Sequence, residues 1–183
     1  MMNNLNNIKL LIMDCDGVLS DGKVIYTEKG WESKAFAVSD GLGLSLLRFT
    51  DIKTAVITGR NSQALKRRCQ DLEIDFLFQG VKDKVAVVEE ILESLSLKWE
   101  NTAFIGDDWN DYHLLQKVAF SATPHQAPEE IKEVVDFISK NRGGDGAVRE
   151  LIEHILKKQG IFDDVIKRFL GQLSTSNHAD KNV

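Results

Sequence analysis

The stretch Leu10-Leu11-Ile12-Met13-Asp14-Cys15-Asp16-Gly17-Val18 decides how this chain folds. Its apolar run is too short for a helix, and it ends abruptly in two carboxylates one residue apart and a glycine, the pattern of a buried strand with an acidic tip. Side chains alternate along an extended strand, so Asp14 and Asp16 point one way and Cys15 points back toward the core, until Gly17 lets the backbone turn. Two carboxylates then share one crevice. Each raises the cost of ionising the other unless a cation lies between them, and a divalent metal with oxygen ligands meets that need. Asp-x-Asp-Gly also occurs in exposed turns and calcium-binding loops, but a surface turn has no use for a strand long enough to cross a core.

Working outward, the same design recurs. Thr54-Ala55-Val56-Ile57 ends in Thr58-Gly59-Arg60, and Ala103-Phe104-Ile105 ends in Gly106-Asp107-Asp108-Trp109-Asn110-Asp111. Phe76 to Phe78, Val118 to Ala122 and Asp136 to Ser139 read as further short extended segments. Helices are expected over Gly41 to Arg48 behind the capping pair Ser39-Asp40, from Asn61-Ser62 to about Leu72, and from Val85 to about Leu97. Others follow to about Lys117, over Glu129 to Val134, over Ala147 to about Gln159 and over Phe162 to Leu170. Lys23 to Tyr26 and Lys34 to Val38 form a hairpin turned by Thr27-Glu28-Lys29-Gly30. Strands alternating with helices through short loops predict an α/β fold, a Rossmann-like parallel sheet with helices on both faces and its ligand at the carboxyl ends of the strands.

Length and composition agree. With 183 residues, 43% of them hydrophobic, one domain buries about two-thirds of its unfolded surface without staples. That domain is read over residues 8–173, with the hairpin at about 22–38 and a glycine-rich and helical segment at about 141–173. Residues 1–7 read as a flexible N-terminus and 174–183 as a disordered tail. Cys15 and Cys69 lack the spacing of a zinc site or disulfide framework. No signal-like start and no run of roughly 20 apolar residues is present, which predicts a soluble, cytoplasmic protein. A net charge of −5 argues against nucleic acid, which selects a basic footprint.

One crevice would therefore gather Asp14, Asp16, Thr58, Asp107, Asp108 and Asp111, with Lys84 opening a helix beside them. Phosphoryl transfer has a use for each group. A carboxylate attacks phosphorus, a magnesium ion offsets anion repulsion, a hydroxyl and an ammonium hold phosphate oxygens, and a second carboxylate serves the leaving alcohol. At Asp14-x-Asp16, Thr58 in Ile-Thr-Gly-Arg, Lys84 and Gly106-Asp107-Asp108-x-x-Asp111, the chain resembles the haloacid dehalogenase superfamily of phosphatases. The resemblance implies that Asp14 is the nucleophile and Asp16 the acid/base. It implies that Thr58, Gly59 and Lys84 bind phosphate, that Asp14, Asp107 and the main chain of Asp16 hold Mg2+, and that Asp111 orients a metal-bound water. Asp108 is left between a site role and a helix cap.

The gaps between these motifs leave no room for a cap domain, so a neighbouring subunit is the economical cover for the site. Lys34-Ala35-Phe36-x-Val38-x-Asp40-Gly41-x-Gly43 and Gly143-Gly144-x-Gly146-Ala147-Val148-Arg149-Glu150 are similar to the 3-deoxy-D-manno-octulosonate 8-phosphate phosphatases. That similarity implies a sugar-acid phosphate substrate, a homotetramer built through the hairpin, and a glycine-rich tail segment reaching a neighbour's site. By the same carry-over, Asp16, Ala37, Val38, Ser39, Asp40, Gly41, Arg60 and Arg68 would line the sugar-acid pocket. Arg149 would meet the sugar acid or make a structural salt bridge. Ser45 and Asp145 depart from the pattern, each removing positive charge near an anionic sugar. A phosphatase for a nine-carbon sialic-type sugar acid phosphate and an inactive oligomerisation module are the two alternative readings.

Overall fold

The computed structural model describes residues 5–179, with side chains to Ser174. Strand β1, Leu10–Met13, is wholly buried, as its apolar run requires. The hairpin strands β2, Ile25–Tyr26, and β3, Glu32–Ser33, are antiparallel and stand apart from the main sheet. Helix α1, Val38–Leu46, leads to β4, Lys53–Thr58, then α2, Gln63–Asp71, β5, Phe76–Gln79, and α3, Lys84–Leu95. Next come β6, Thr102–Ile105, the short α4, Tyr112–Leu115, β7, Phe120–Thr123, α5, Glu129–Lys132, and β8, Phe137–Ile138. Helices α6, Ala147–Lys158, and α7, Phe162–Ala179, complete the order.

The six strands of the main sheet run parallel in the order β5-β4-β1-β6-β7-β8. The strand alternation sorts the core into two layers: Leu11 and Met13 face a cluster with Leu44, Leu65, Leu151 and Ile155, while Leu10 and Ile12 face one with Val88, Ile91, Leu114 and Ile131. Helices α1, α2, α6 and α7 thus cover one face, and α3, α4 and α5 the other. Each fully buried large side chain contributes roughly 1.5–3 kcal/mol. Because β1 lies between β4 and β6, chain connections leave it toward opposite sides, and a crevice opens at its carboxyl end.

Several boundaries differ from the sequence expectation. The second hairpin strand ends at Ser33, and α1 begins at Val38, ahead of the expected Gly41. Ser39-Asp40 does not cap α1, whose cap position is Ala37. The buried Asp40 carboxylate instead accepts from the backbone N–H groups of Gly146, 3.2 Å, and Arg149, 2.9 Å, and so caps α6 across the helix pair. Apolar periodicity around position 40 cannot reveal a cap supplied over more than a hundred residues of chain.

Residues 5–7 and 174–179 are helical where flexible ends were expected. Residues 1–4 and 180–183 lie outside the described residues. Leu5–Asn7 form a 3-10 turn with Leu5 buried, tied down by Gln159, whose amide donates to the Leu5 carbonyl at 2.9 Å. Helix α7 continues through Ala179, where a tail was expected from Ser174. The glycine-rich segment docks on the loop after β1. Gly144 donates to the Val18 carbonyl at 2.8 Å, and Gly143 packs so closely on Gly17 that a Cβ there would stand 1.7 Å from the Gly17 carbonyl oxygen.

Candidate active site

The strand tips place their polar residues together. Asp14, Asp16, Gly22, Thr58, Gly59, Arg60, Asp107, Asp108 and Asn110 line one crevice at the carboxyl ends of β1, β4 and β6. Cys15 is buried between the two aspartates, as the alternation demands. Gly17, at φ +89°, starts the turn away from the strand and leaves room for Asp107.

Lys84, the first residue of α3, reaches in from the side with Asp83 capping the helix behind it. Its buried ammonium donates to Asp14 Oδ1 at 2.7 Å and to Asp111 Oδ1 at 2.6 Å. Burial works against that charge, but Asp14 and Asp111 outweigh it and lift the ammonium above its usual range. The other oxygen of Asp111 accepts from the Asp107 N–H at 3.0 Å, which fixes the Gly106–Asp111 turn. Thr58 is buried at the tip of β4, its hydroxyl accepting weakly from the Arg60 N–H at 3.4 Å.

The carboxylates of Asp14, Asp107 and Asp111 each offer an oxygen, all within 4.8 Å of one another. Burial raises Asp14 to about 6, with Asp111 adding to the rise and Lys84 opposing it. Burial, then the charges of Asp14 and Asp111, push Asp107 up to about 8. One ammonium does not balance three clustered carboxylates. A hard divalent cation would, and an all-oxygen donor set suits magnesium.

Asp16 is held differently. Its Oδ1 accepts from the Lys34 ammonium in a short contact and from Ser20 Oγ at 3.4 Å. Oδ2 is buried without a hydrogen bond, with Arg60 Nε 3.6 Å away. Arg60 also donates to Glu32 Oε2 at 2.7 Å. Behind this loop, Gln126 donates to the Gly17 carbonyl at 2.7 Å and accepts from the Gly143 N–H at 2.9 Å.

A family model described as haloacid dehalogenase-like hydrolase matches residues 74–151. A protein of Escherichia coli called 3-deoxy-D-manno-octulosonate 8-phosphate phosphatase is 40% identical over 158 residues, 86% of this chain and 84% of that one. The chain belongs to the haloacid dehalogenase-like hydrolases. Among these hydrolases, a Haemophilus influenzae protein of the same name is 39% identical over 89% of this chain and 92% of its own. The crystal structure of the Moraxella catarrhalis phosphatase, in complex with magnesium ion, phosphate ion and KDO, superposes with a TM-score of 0.87. It is 40% identical and is matched over 92% of this chain and 99% of that one. A cobalt-bound Haemophilus influenzae structure gives 0.83 at 39% identity, over 87% of this chain and 93% of its own.

All the motif residues expected of a haloacid dehalogenase-like hydrolase converge: Asp14, Asp16, Thr58, Gly59, Asp107 and Asp108 in the crevice, Lys84 and Asp111 directly behind it. Asp108 has its own local role, accepting from the Trp109 N–H at 2.8 Å at the start of a 3-10 turn. The sugar-pocket expectation divides. Arg60 lines the crevice, whereas Ala37, Val38, Ser39, Asp40 and Gly41 sit on the first turn of α1 and do not. Arg68 joins that group, donating to the Ala37 carbonyl at 3.0 Å beside Gly41. Arg149 pairs with Glu153, Nε to Oε1 at 2.9 Å, the salt-bridge alternative, and is absent from the crevice wall. Ser45 faces α7 with Phe169 and Leu173, so its departure from the family pattern lies away from the crevice of its own chain. Sequence reasoning missed Lys34, Glu32 and Gln126. The hairpin was read for its strands, its turn and its apolar surface, and a lone glutamine after Pro124 carried no signal.

Proposed function

We propose that this chain is a magnesium-dependent phosphomonoester hydrolase that converts 3-deoxy-D-manno-octulosonate 8-phosphate to 3-deoxy-D-manno-octulosonate and phosphate. The observation that carries this reading is the convergence of Asp14, Asp16 and Thr58 in one crevice with Lys84 bonded to Asp14. Asp14 attacks phosphorus, and the bond from phosphorus to the sugar oxygen breaks. Asp16, through its unbonded Oδ2, gives a proton to the departing oxygen. A water then attacks the aspartyl-phosphate, Asp16 takes its proton, and the bond from phosphorus to Asp14 breaks. Thr58, Gly59 and Lys84 hold the phosphate oxygens throughout. Asp14, Asp107 and the Asp16 main-chain carbonyl would hold magnesium, with Asp111 acting through water. The ion supplies charge neutralisation between carboxylate and phosphate.

Arg60 supplies a guanidinium to the sugar carboxylate at the crevice rim. The hairpin leaves Ile25, Tyr26 and Trp31 more than half exposed, a patch that suits a homotetramer with the hairpins at its centre. Assembly would also supply the cover that the open crevice lacks in a single chain. No helix among the described residues is long and apolar enough to cross a membrane. Two free, buried cysteines suit the reducing cytoplasm, where we place the reaction.

The test is phosphate release across a panel of sugar phosphates. The eight-carbon sugar acid phosphate should give a kcat/KM at least about tenfold above its nine-carbon sialic-type relatives, the low end of what a one-carbon difference in fit provides. Equal or reversed preference would move the substrate assignment to the nine-carbon class, and no release from any ester would remove the activity.

A further inference from the structure

The hairpin does more than offer apolar surface, because its second strand delivers charge to the catalytic loop. Glu32 lies on β3 and Lys34 one residue past its end, and the Lys34 side chain is 0% exposed. Burying an ammonium costs several kcal/mol unless its partners compensate. Lys34 has two: Asp16 Oδ1, in a short contact, and Glu32 Oε1 at 3.3 Å. Arg60 closes the ring, bonded to Glu32 Oε2 at 2.7 Å and 3.6 Å from Asp16 Oδ2. Four charges of alternating sign thus link the hairpin to Asp16, with Lys34 as the deepest.

A salt bridge that only pinned the hairpin would have no need to end on Asp16. Asp21 and Glu28 are exposed acidic residues that flank or lie within the hairpin in sequence. Lys34 instead takes one specific oxygen of Asp16, and what remains unbonded is Oδ2. A free carboxylate side chain rotates between equivalent oxygens, so anchoring one determines where the other points. We propose that Lys34 is a positioning residue for the phosphatase reaction, holding Asp16 Oδ1 so that Oδ2 faces the leaving oxygen of the substrate. Glu32 keeps Lys34 in place. The inference rests on Asp16 as the acid that serves the leaving group, and the experiment separates failure of that reading from failure of this one.

The discriminating quantity is the dependence on leaving group. An alkyl or sugar phosphate needs a proton at its departing oxygen, whereas p-nitrophenyl phosphate releases a stable phenolate without one. Leaving-group release in the first turnover is measured for both esters with the wild type, K34M, K34R and D16N. In K34M the ratio of sugar-phosphate to p-nitrophenyl-phosphate rates should fall by about 10²-fold, the scale of a general-acid contribution. K34R should restore most of that ratio, since its guanidinium reaches the same oxygen. D16N should lower the ratio at least as far. The paired variant E32Q/K34M, which removes one charge of each sign, carries the same expectation should K34M fail to fold. If D16N lowers the ratio while K34M leaves it at the wild-type value, or slows both esters equally, the positioning role of Lys34 is wrong. If D16N leaves the ratio unchanged, the acid role of Asp16 falls, and this inference with it.

Discussion

Gly17 and Asp107 occupy one another's space: a Cβ at position 17 would lie 1.8 Å from Asp107 Oδ2. The glycine also stands at φ +89°, where side chains are strained. Gly17→Ala should therefore displace the Asp107 carboxylate as well as destabilise the loop. A displacement of about 1 Å costs about 10²-fold in rate. Turnover of the folded variant, measured beside its melting temperature, should fall by that much. Wild-type turnover in G17A would mean that Asp107 tolerates displacement and has no exacting role.

Asp14→Asn and Asp16→Asn should each reduce turnover by about 10³-fold or more while keeping the circular dichroism of the wild type, since both side chains sit at a strand tip. Rapid acid quenching of the wild type should trap phosphate on Asp14. Inversion of configuration at phosphorus, read with a chirally labelled phosphate ester, would instead indicate direct attack by water, since two successive displacements give retention.

Chelation should abolish activity and added magnesium should restore it, because three clustered carboxylates face one ammonium. Asp107→Ala should raise the magnesium concentration needed for half-maximal rate far more than Asp108→Ala, whose side chain caps Trp109. The reverse order would make Asp108 the ligand.

His154 offers a pH signature remote from the site. Its ring stacks on Phe120 at 5.8 Å and 11°, and lies 4.7 Å from Phe137. Burial, aided by Lys158, pushes its pKa down. The unfolded chain then binds the proton more tightly than the folded one. Stability is fully present above the unfolded value of about 6.5 and is lost as pH falls through that value toward the folded pKa. Asp14 and Asp107, raised in the folded chain, slope the opposite way over the same range, so the signature is a difference: in urea titrations from about pH 7.5 to 5, the wild type should lose stability relative to His154→Gln as pH falls. Asp75 and Glu153, both lowered in the folded chain, act in a separate window nearer pH 4.

Trp31 is 69% exposed on the hairpin. Trp31→Glu should dissociate the assembly in sedimentation velocity and raise KM for the sugar-acid phosphate more than for p-nitrophenyl phosphate. A wild-type protein that sediments as a fully active monomer would end the tetramer proposal.

The sheet and the motif cluster were legible because both rest on local rules. Apolar runs such as Leu10–Met13 and Thr54–Thr58 can be buried strands, and their polar tips must emerge at one end of a parallel sheet. Asp14, Thr58, Lys84 and Asp107 were therefore placed together from sequence alone. The remainder depends on which distant segments meet. Nothing near Asp40 reveals that it caps a helix starting at Ala147, and nothing in Glu32-Ser33-Lys34 reveals that the hairpin folds back onto Asp16. Gly143 and Gly144 were read as reaching a neighbour's site, but such a reach and a tight docking onto the chain's own loop require the same residue. The α7 helix outran its expected end because the polar run after Leu173 was read as a stop.

The Gln126 amide ties Gly17 to Gly143, contacts that span 109 and 17 residues of chain. Every phosphatase motif precedes residue 112, yet the loop carrying Asp16 acquires this brace only when residues 126 and 143 are in place. A nascent chain that has just released its last motif aspartate into solution therefore carries all the reacting groups without the clasp that sets their loop. Closing such long spans is entropically slow compared with local pairing. That brace is thus among the last contacts that synthesis makes available to the catalytic loop, after the final strand of the sheet has already emerged.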